Sequence, residues 1–300
     1  MRKKLIVILG PTASGKTAFS IDLAKKYKTE IISADSRQFF KEMSIGTAKP
    51  GLEEQNGVKH HFINSHSIEE FFTAGQFERD GLSVLDDIFK TNDYAICVGG
   101  SGLYINALCD GLDDIPGDLS VRNELNAQFE KQGIEPILNE LKEKDPAFFK
   151  IVDQKNHQRV IRAVEVIRVS GKPYSSLRKS SKKERSFDIV KIGIEHPREI
   201  LYDRINRRVD IMIEAGLIEE VQSLIDFRNH NALQTVGYKE IFEFLDGNIS
   251  KEESIELLKR NTRRFAKRQL TWFRKDESTR WISFEEIDSF IFEEIIDMET

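Results

Sequence analysis

Eight residues, GPTASGKT at 10–17, match G-x-x-x-x-G-K-[ST] through Gly10, Gly15, Lys16 and Thr17. An apolar run, LIVIL, precedes them and a helical pattern follows. In that setting Gly10, Pro11, Thr12, Ala13, Ser14 and Gly15 form a loop whose backbone N–H groups turn into one concavity. The helix N-terminus behind it adds partial positive charge. Lys16 is placed to neutralise the outer phosphate of a ligand, and the Thr17 hydroxyl to ligate Mg²⁺. The loop specifies a polyphosphate; it does not specify adenosine.

Two further polar segments end apolar runs. Asp35 follows EIISA at 30–34, with Ser36, Arg37 and Gln38 after it. Its carboxylate suits a general base or an outer ligand of Mg²⁺, although the same spacing also fits a turn cap. Gln38 suits a base edge or simply the surface. GGSGLY at 99–104 ends the run YAICVGG. A nucleoside triphosphatase of this type often carries an acid there, and Val98, Gly99 and Gly100 stand instead, which weakens an ATPase reading. The glycines permit close approach of a ligand, and Ser101 offers a hydroxyl.

Basic residues recur at helical spacing. Arg204, Arg207 and Arg208 lie at i, i+3 and i+4, hence on one helix face, as a solvated stripe or as a second clamp on phosphates. Arg159 and Arg162 repeat the spacing in NHQRVIRAVEVIR at 156–168. Arg260, Arg264, Lys267 and Arg268 form a rail ahead of Trp272 and Phe273. Each could be ordinary solvated surface. Together with the polar basic stretch 171–186 they suit a structured nucleic acid gripped by its backbone. His60 and His61 lack partner carboxylates at metal-ligand spacing and carry little weight as metal ligands.

The elements that must position these groups alternate. Apolar runs at 5–9, 30–34 and 94–100 are separated by helical patterns at 16–28 and 75–90. Alternating strand and helix predicts a parallel sheet flanked by helices, with ligands at the carboxyl ends of the strands. From 119 to 170 the texture is helical, DIVKIGIE at 188–195 reads as a strand returning to the sheet, and one long helix is predicted from Arg198 to Arg228. The predicted organisation is an α/β core domain over 1–114 and 187–300, with a mainly helical insertion at 115–186.

Composition agrees with a globular chain. Of 300 residues, 39% are hydrophobic and 32% charged, as in ordinary folded domains. No apolar run approaches the roughly 20 residues that span a bilayer. Two cysteines are too few for a disulfide framework and make a reducing cytoplasm the expected location. The net charge of −5 conceals an asymmetry, since 255–275 holds eight Lys or Arg against one Glu, and 276–300 holds nine acids against one Arg. A basic segment within an acidic chain suggests a local polyanion contact.

Eight segments now make the sequence recognisable: GPTASGKT, ISADSRQ, IGTAKP, GGSGLY, QRVIRAVEV, RVD.M...GL.EEV at 208–221, VGYKE and AKRQLTWFR, in that order. They resemble the bacterial tRNA dimethylallyltransferases, also called tRNA isopentenyltransferases, and they span most of the chain. The resemblance implies a fold like the P-loop kinases with a helical insertion that holds the anticodon stem-loop. It implies transfer of a dimethylallyl group from dimethylallyl diphosphate to the exocyclic amine of adenosine at position 37 of tRNA, with Mg²⁺ assisting.

By the same resemblance Thr12 to Thr17 hold the donor diphosphate, with Lys16 catalytic, and Asp35 is the general base. Asp35, Ser36, Arg37 and Gln38 match tRNA contacts, as do Gln158, Arg159, Val160, Ile161 and Arg162. Ser101 and Arg122 match further contacts, with Ser101 also beside the chemistry. Either Arg204 or Arg208 matches a diphosphate-binding arginine. The rail Arg264, Lys267 and Arg268 falls in the last motif. The family usually has GGTGLY and RALEV where this chain has Ser101 and Val164; the first keeps the hydroxyl and the second is a packing matter. The zinc finger of eukaryotic relatives is excluded by the cysteine count. A monomer is expected, as no heptad seam is evident.

Three rivals remain in view. A prenyltransferase for free adenine nucleotides would not need the insertion's QRVIR or the AKRQLTWFR rail. A small-molecule kinase using ATP conflicts with the acid missing after Val98. A non-catalytic RNA-binding protein conflicts with intact Lys16, Thr17 and Asp35.

Overall fold

The computed structural model describes residues 2–179 and 182–287. Two compact units divide the chain, Met1–Cys109 with Glu184–Thr300, and Asp110–Lys183. The first unit is built on six parallel strands, β1 (Lys4–Leu9), β2 (Ile31–Ser33), β3 (His60–His61), β4 (Tyr94–Gly99), β5 (Asp188–Glu195) and β6 (Thr279–Ser283), in the order β3-β2-β4-β1-β5-β6. Helices α1 (Lys16–Tyr27), α2 (Leu52–Gln55), α3 (Ala74–Thr91) and α4 (Gly102–Asp110) follow the early strands. The second unit contributes α5 (Leu119–Gln132), α6 (Glu135–Lys144), α7 (Pro146–Ile151), α8 (His157–Ser170) and α9 (Tyr174–Leu177). The chain returns through α10 (Arg198–Glu214), α11 (Leu217–Ser223), α12 (Lys239–Leu245) and α13 (Lys251–Phe273).

β1 explains why a sequence reads LIVIL without a polar residue. It pairs with β4 on one side and β5 on the other, in register over all six residues. Both sheet faces are covered, so both halves of the strand's two-residue period must be apolar. Leu5, Val7 and Leu9 join Phe77, Leu85 and Ile88 of α3 in one core. Ile6 and Ile8 join Phe19, Leu23 and Ala24 of α1 in another. His60 and His61, weak as metal ligands by sequence, form the short edge strand. His61 Nε2 lies 2.6 Å from Glu30 Oε2, and His60 Nδ1 lies 2.9 Å from the Val58 carbonyl.

The predicted helix from Arg198 to Arg228 is interrupted. α10 stops at Glu214, Gly216 takes φ +97°, and α11 begins at Leu217. A left-handed residue at a helix C-terminus favours glycine because it carries no Cβ penalty. The break re-aims the chain, and α11 presents Glu220 to the loop after β2. That carboxylate accepts N–H groups from Ser44 at 3.0 Å, Ile45 at 2.7 Å and Gly46 at 3.0 Å, and the Tyr238 hydroxyl at 2.7 Å.

In the second unit Leu125, Ile137, Leu141, Phe148, Val160, Ala163 and Val164 pack together. Glu165 shares the buried side of α8 and is 0% exposed. It accepts from Asp118 N–H at 3.0 Å, Arg122 Nε at 2.8 Å and Arg162 Nη1 at 2.7 Å. Truncating it leaves two guanidiniums without their carboxylate. Glu165→Ala is therefore expected to destabilise the unit by about 2 kcal/mol. That is below the roughly 3–5 kcal/mol of a fully buried pair, because both arginines keep some water. Amide exchange across α5 and α8 would report it, and protection equal to the wild type would refute it.

Candidate active site

The ends of three strands converge on one cleft of ≈ 150 Å³ in the first unit. Thr12, Lys16 and Thr17 reach it from the loop after β1, Asp35 to Gln38 from the segment after β2, and Gly99 to Ser101 from the end of β4. Arg208 of α10 lines it too. The remaining loop residues Gly10, Pro11, Ala13, Ser14 and Gly15 lie behind this lining. Backbone bonds tie the strand ends together: Ala34 N–H donates to Val98 O at 2.7 Å, and Ser101 N–H to Ala34 O at 3.3 Å. The Ser101 hydroxyl accepts Ser36 N–H at 2.9 Å. One Asp35 oxygen accepts Arg37 N–H at 3.0 Å. Asp35 is thus both a turn cap and a cleft-lining carboxylate.

Lys16 sits in an unusual field. Its ammonium donates to the Pro11 carbonyl at 2.6 Å, folded into its own loop. Burial, then the positive charge of Arg208, lowers its pKa to about 7, with Asp35 opposing. Burial and the adjacent Arg204 likewise push Arg208 down. A polyanion bound there would relieve the repulsion between the two cations.

Arg204, Arg207 and Arg208 of α10 separate. Arg208 donates to Thr12 Oγ1 at 3.4 Å. Arg204 donates to the carbonyl of Ala13 at 2.8 Å and lies 4.9 Å from the ring of Phe284. Ala13 itself holds φ +66°, a left-handed conformation that costs a non-glycine residue about 1–3 kcal/mol unless its surroundings impose it. Arg204 and the helix behind it supply that imposition. Arg207 points away from the loop, to Asp203 at 2.9 Å.

Gly99 and Gly100 line the cleft, and the glycines of GGSGLY are also closely approached by protein. A Cβ at Gly100 would lie 2.3 Å from Gln269 Nε2, and one at Gly102 2.2 Å from the Trp272 ring. Gln269, 7% exposed on α13, donates Nε2–H to Gly100 O at 2.9 Å and accepts Thr12 N–H on Oε1 at 2.8 Å. Gln38 is likewise engaged with protein, donating to the carbonyls of Thr47 at 3.2 Å and Ala48 at 3.3 Å. Gln269 and Glu220 lie inside the segments AKRQLTWFR and RVD.M...GL.EEV, but the sequence alone assigned neither a role. The buried face of α13, Ser254, Leu258, Ala266, Gln269 and Phe273, has helical spacing, and a glutamine on it was the available signal.

Of the residues matched to RNA contacts, Gln158 and Arg159 are exposed near the start of α8. Val160 and Ile161 instead turn into the unit's core, because α8 presents that face to α5 and α6. Arg122 and Arg162 are held by Glu165. Arg264, Lys267 and Arg268 line a groove on α13 with Thr271, Trp272 and Lys275. Phe273, grouped with Trp272 by sequence, is buried.

Whether the donor set fits a cation can be judged from its chemistry. Thr17 offers a hydroxyl and Asp35 a carboxylate in the same cleft, and among the described residues no group of three His, Cys, Asp or Glu forms a cage. Few protein oxygens, with substrate phosphates and water completing the shell, is the manner in which Mg²⁺ is usually held. The residues fit.

The comparisons follow the same lines. The model of the family described as IPP transferase matches residues 38–276. A protein named tRNA dimethylallyltransferase from Cytophaga hutchinsonii is 54% identical, the match covering 97% of each chain. One of the same name from Christiangramia forsetii is 50% identical over 98% of each. Among solved structures, the tRNA isopentenylpyrophosphate transferase of Bacillus halodurans is 40% identical, with TM-score 0.69 over 99% of this chain and 94% of that one. A eukaryotic dimethylallyltransferase acting on tRNA gives TM-score 0.80 at 27% identity, over 99% and 78%. With its P-loop, its parallel sheet and these relatives in agreement over nearly its full length, the chain belongs to the IPP transferase family.

Proposed function

We propose that the protein transfers a dimethylallyl group from dimethylallyl diphosphate to the exocyclic amine of adenosine 37, beside the anticodon of tRNA. The observation that carries this reading is the convergence of Lys16, Thr17, Asp35, Ser101 and Arg208 on one cleft in a chain of this family. The loop and Arg208 hold the diphosphate, while Arg204 braces the loop from behind. Val209, Met212, Val236, Leu258 and Phe265 line the same cleft and supply apolar surface for the five-carbon tail.

The adenine amine is a weak nucleophile because its lone pair is delocalised into the ring. Its nitrogen attacks the allylic carbon, the bond from that carbon to the diphosphate oxygen breaks, and Asp35 accepts the amine proton. Lys16, Arg208 and the loop amides take up the charge that accumulates on the departing diphosphate. Thr17 would help to hold Mg²⁺ in this cleft, where the ion would add to the neutralisation of that charge. The base must leave its stack to reach Asp35, at a cost of a few kcal/mol, offset by contacts along the RNA backbone.

Those contacts are assigned to the α13 groove and to the Asp110–Lys183 unit as the tRNA-binding domain, through Gln158 and Arg159. Arg159→Ala is expected to weaken tRNA binding several-fold and leave donor affinity unchanged. Gel-shift and diphosphate-binding titrations separate the two, and the reverse pattern would assign α8 to the donor. A cytoplasmic monomer is part of the same reading. No helix among the described residues is long and apolar enough to cross a membrane.

The test is a transfer assay with labelled dimethylallyl diphosphate, Mg²⁺ and unmodified tRNA, with AMP as alternative acceptor and γ-labelled ATP as alternative donor. Label entering tRNA, and lost when adenosine 37 becomes guanosine, supports the proposal. Label entering AMP, or phosphate transferred from ATP, overturns it.

A further inference from the structure

The side chain of Gln269 joins two loops that reach the reaction from opposite sides. Its Oε1 takes the N–H of Thr12 at 2.8 Å, in the loop that grips the leaving group. Its Nε2 gives a hydrogen to the carbonyl of Gly100 at 2.9 Å, one residue before Ser101. Ser101 in turn accepts the N–H of Ser36, next to Asp35. A single primary amide therefore joins the diphosphate-holding loop to the loop after β4, whose Ser101 in turn holds the segment that carries Asp35. Its orientation is forced, because an N–H needs the carbonyl end and a carbonyl needs the amine end.

The surroundings leave this amide little room to adjust. Gln269 is 7% exposed, and a methyl group at Gly100 would meet its nitrogen at 2.3 Å. Arg208 donates to the Thr12 hydroxyl at 3.4 Å, so the residue whose N–H Gln269 fixes also carries an arginine contact. α13 is a helix of 23 residues with a capping box at Ser250 and Glu253. The amide is thus mounted on a rigid element, which holds a first contact more accurately than a loop does.

We propose that Gln269 is a positioning residue: it sets the distance and angle between the leaving diphosphate and the base that deprotonates the incoming amine. It touches neither reacting atom, and the inference rests on the prenyl-transfer reading above. Displacement at carbon requires nucleophile, carbon and leaving oxygen in line, and an error of about 1 Å costs on the order of 10²-fold in rate. Misalignment has a second consequence. If the amine is out of line while the diphosphate still departs, water attacks the allylic carbon. Its oxygen bonds to that carbon, the carbon–oxygen bond to diphosphate breaks, and the water's proton goes to solvent, giving the prenyl alcohol.

The experiment measures, in one reaction, diphosphate released and prenyl group found in RNA. The wild type is expected to give equal amounts. Gln269→Glu, the same size and still an acceptor for Thr12, sets a carboxylate oxygen against the Gly100 carbonyl. Gly100→Ala pushes the same amide from the opposite loop. Both are expected to slow single-turnover transfer by roughly 10²-fold and to release diphosphate in clear excess over prenylated RNA. Affinity for inorganic diphosphate and for tRNA should stay within about threefold of the wild type. Gln269→Met keeps the volume without either hydrogen bond and serves if one of the others fails to fold. Folded variants that transfer at the wild-type rate with equal yields overturn the role of Gln269. A slowed rate with equal yields and a melting point lowered by many degrees does so too, assigning the residue to stability alone. A wild type that binds diphosphate yet never prenylates RNA would instead bring down the underlying reading.

Discussion

Asp35→Asn is expected to leave tRNA affinity intact and to slow prenyl transfer by roughly 10²–10⁴-fold, the range in which general-base assistance operates. Asparagine is the informative substitution because the proposed mechanism adds proton transfer to the turn cap that Asp35 already provides. One oxygen accepts Arg37 N–H at 3.0 Å, and an asparagine carbonyl can still do so. What asparagine cannot do is take a proton from an amine that becomes strongly acidic as its bond to carbon forms. Asp35→Ala removes both functions and is expected to lose additional rate through relaxation of the 35–38 turn. The comparison of the two separates chemistry from scaffolding. Single-turnover rates with saturating RNA decide it, since product release is then invisible. An Asp35→Asn rate equal to wild type would remove the carboxylate from the mechanism and leave it as a turn cap.

Much of this site is legible in one sequence, for a physical reason. A parallel sheet buried on both faces writes itself as apolar runs, and its ligands gather where those runs end. GPTASGKT, ADSRQ and GGSGLY each stand at such an end, so the converging groups could be named before their distances were known. What escaped were the groups that hold the first ones in place. Gln269 lies 257 residues from Thr12, and Glu220 lies 174 residues from Gly46. Their partners are mostly backbone amides and carbonyls, which have no sequence signature. The α10 arginines show the same limit from the other direction. Spacing put Arg204, Arg207 and Arg208 on one face, yet about 60° around the helix axis separates the loop brace, Arg204, from the solvent ion pair of Arg207. Gly216 carried the missing information about the helix break, but a single glycine within a helical pattern is ambiguous until its φ is known. Val160 and Ile161 were carried along by a motif whose first two residues, Gln158 and Arg159, are exposed and whose apolar members are simply core.

Lys16→Met is the second large effect, and its pH dependence distinguishes the lysine from any other charge at the site. Loss of one group that stabilises the leaving diphosphate is expected to slow transfer by about 10²–10³-fold. The lysine's depressed pKa of about 7 adds a sign. Below that pH the free protein already carries the ammonium, and diphosphate binds without a change in its protonation. Above it the lysine is neutral, and burial together with Arg208 keeps it so until an anion arrives. Binding then restores the charged form and draws a proton from solvent. Apparent affinity for inorganic diphosphate therefore falls as pH rises through about 7, by up to about tenfold per unit, until the raised pKa of the complex is reached. Calorimetry near pH 8, in buffers of different ionisation enthalpy, reads the uptake directly. The ligand's own titration is common to wild type and Lys16→Met, so their difference isolates the lysine. Equal proton uptake by the two proteins would mean that the charge meeting the diphosphate is permanent, and that Arg208 and the loop amides carry the leaving group without Lys16.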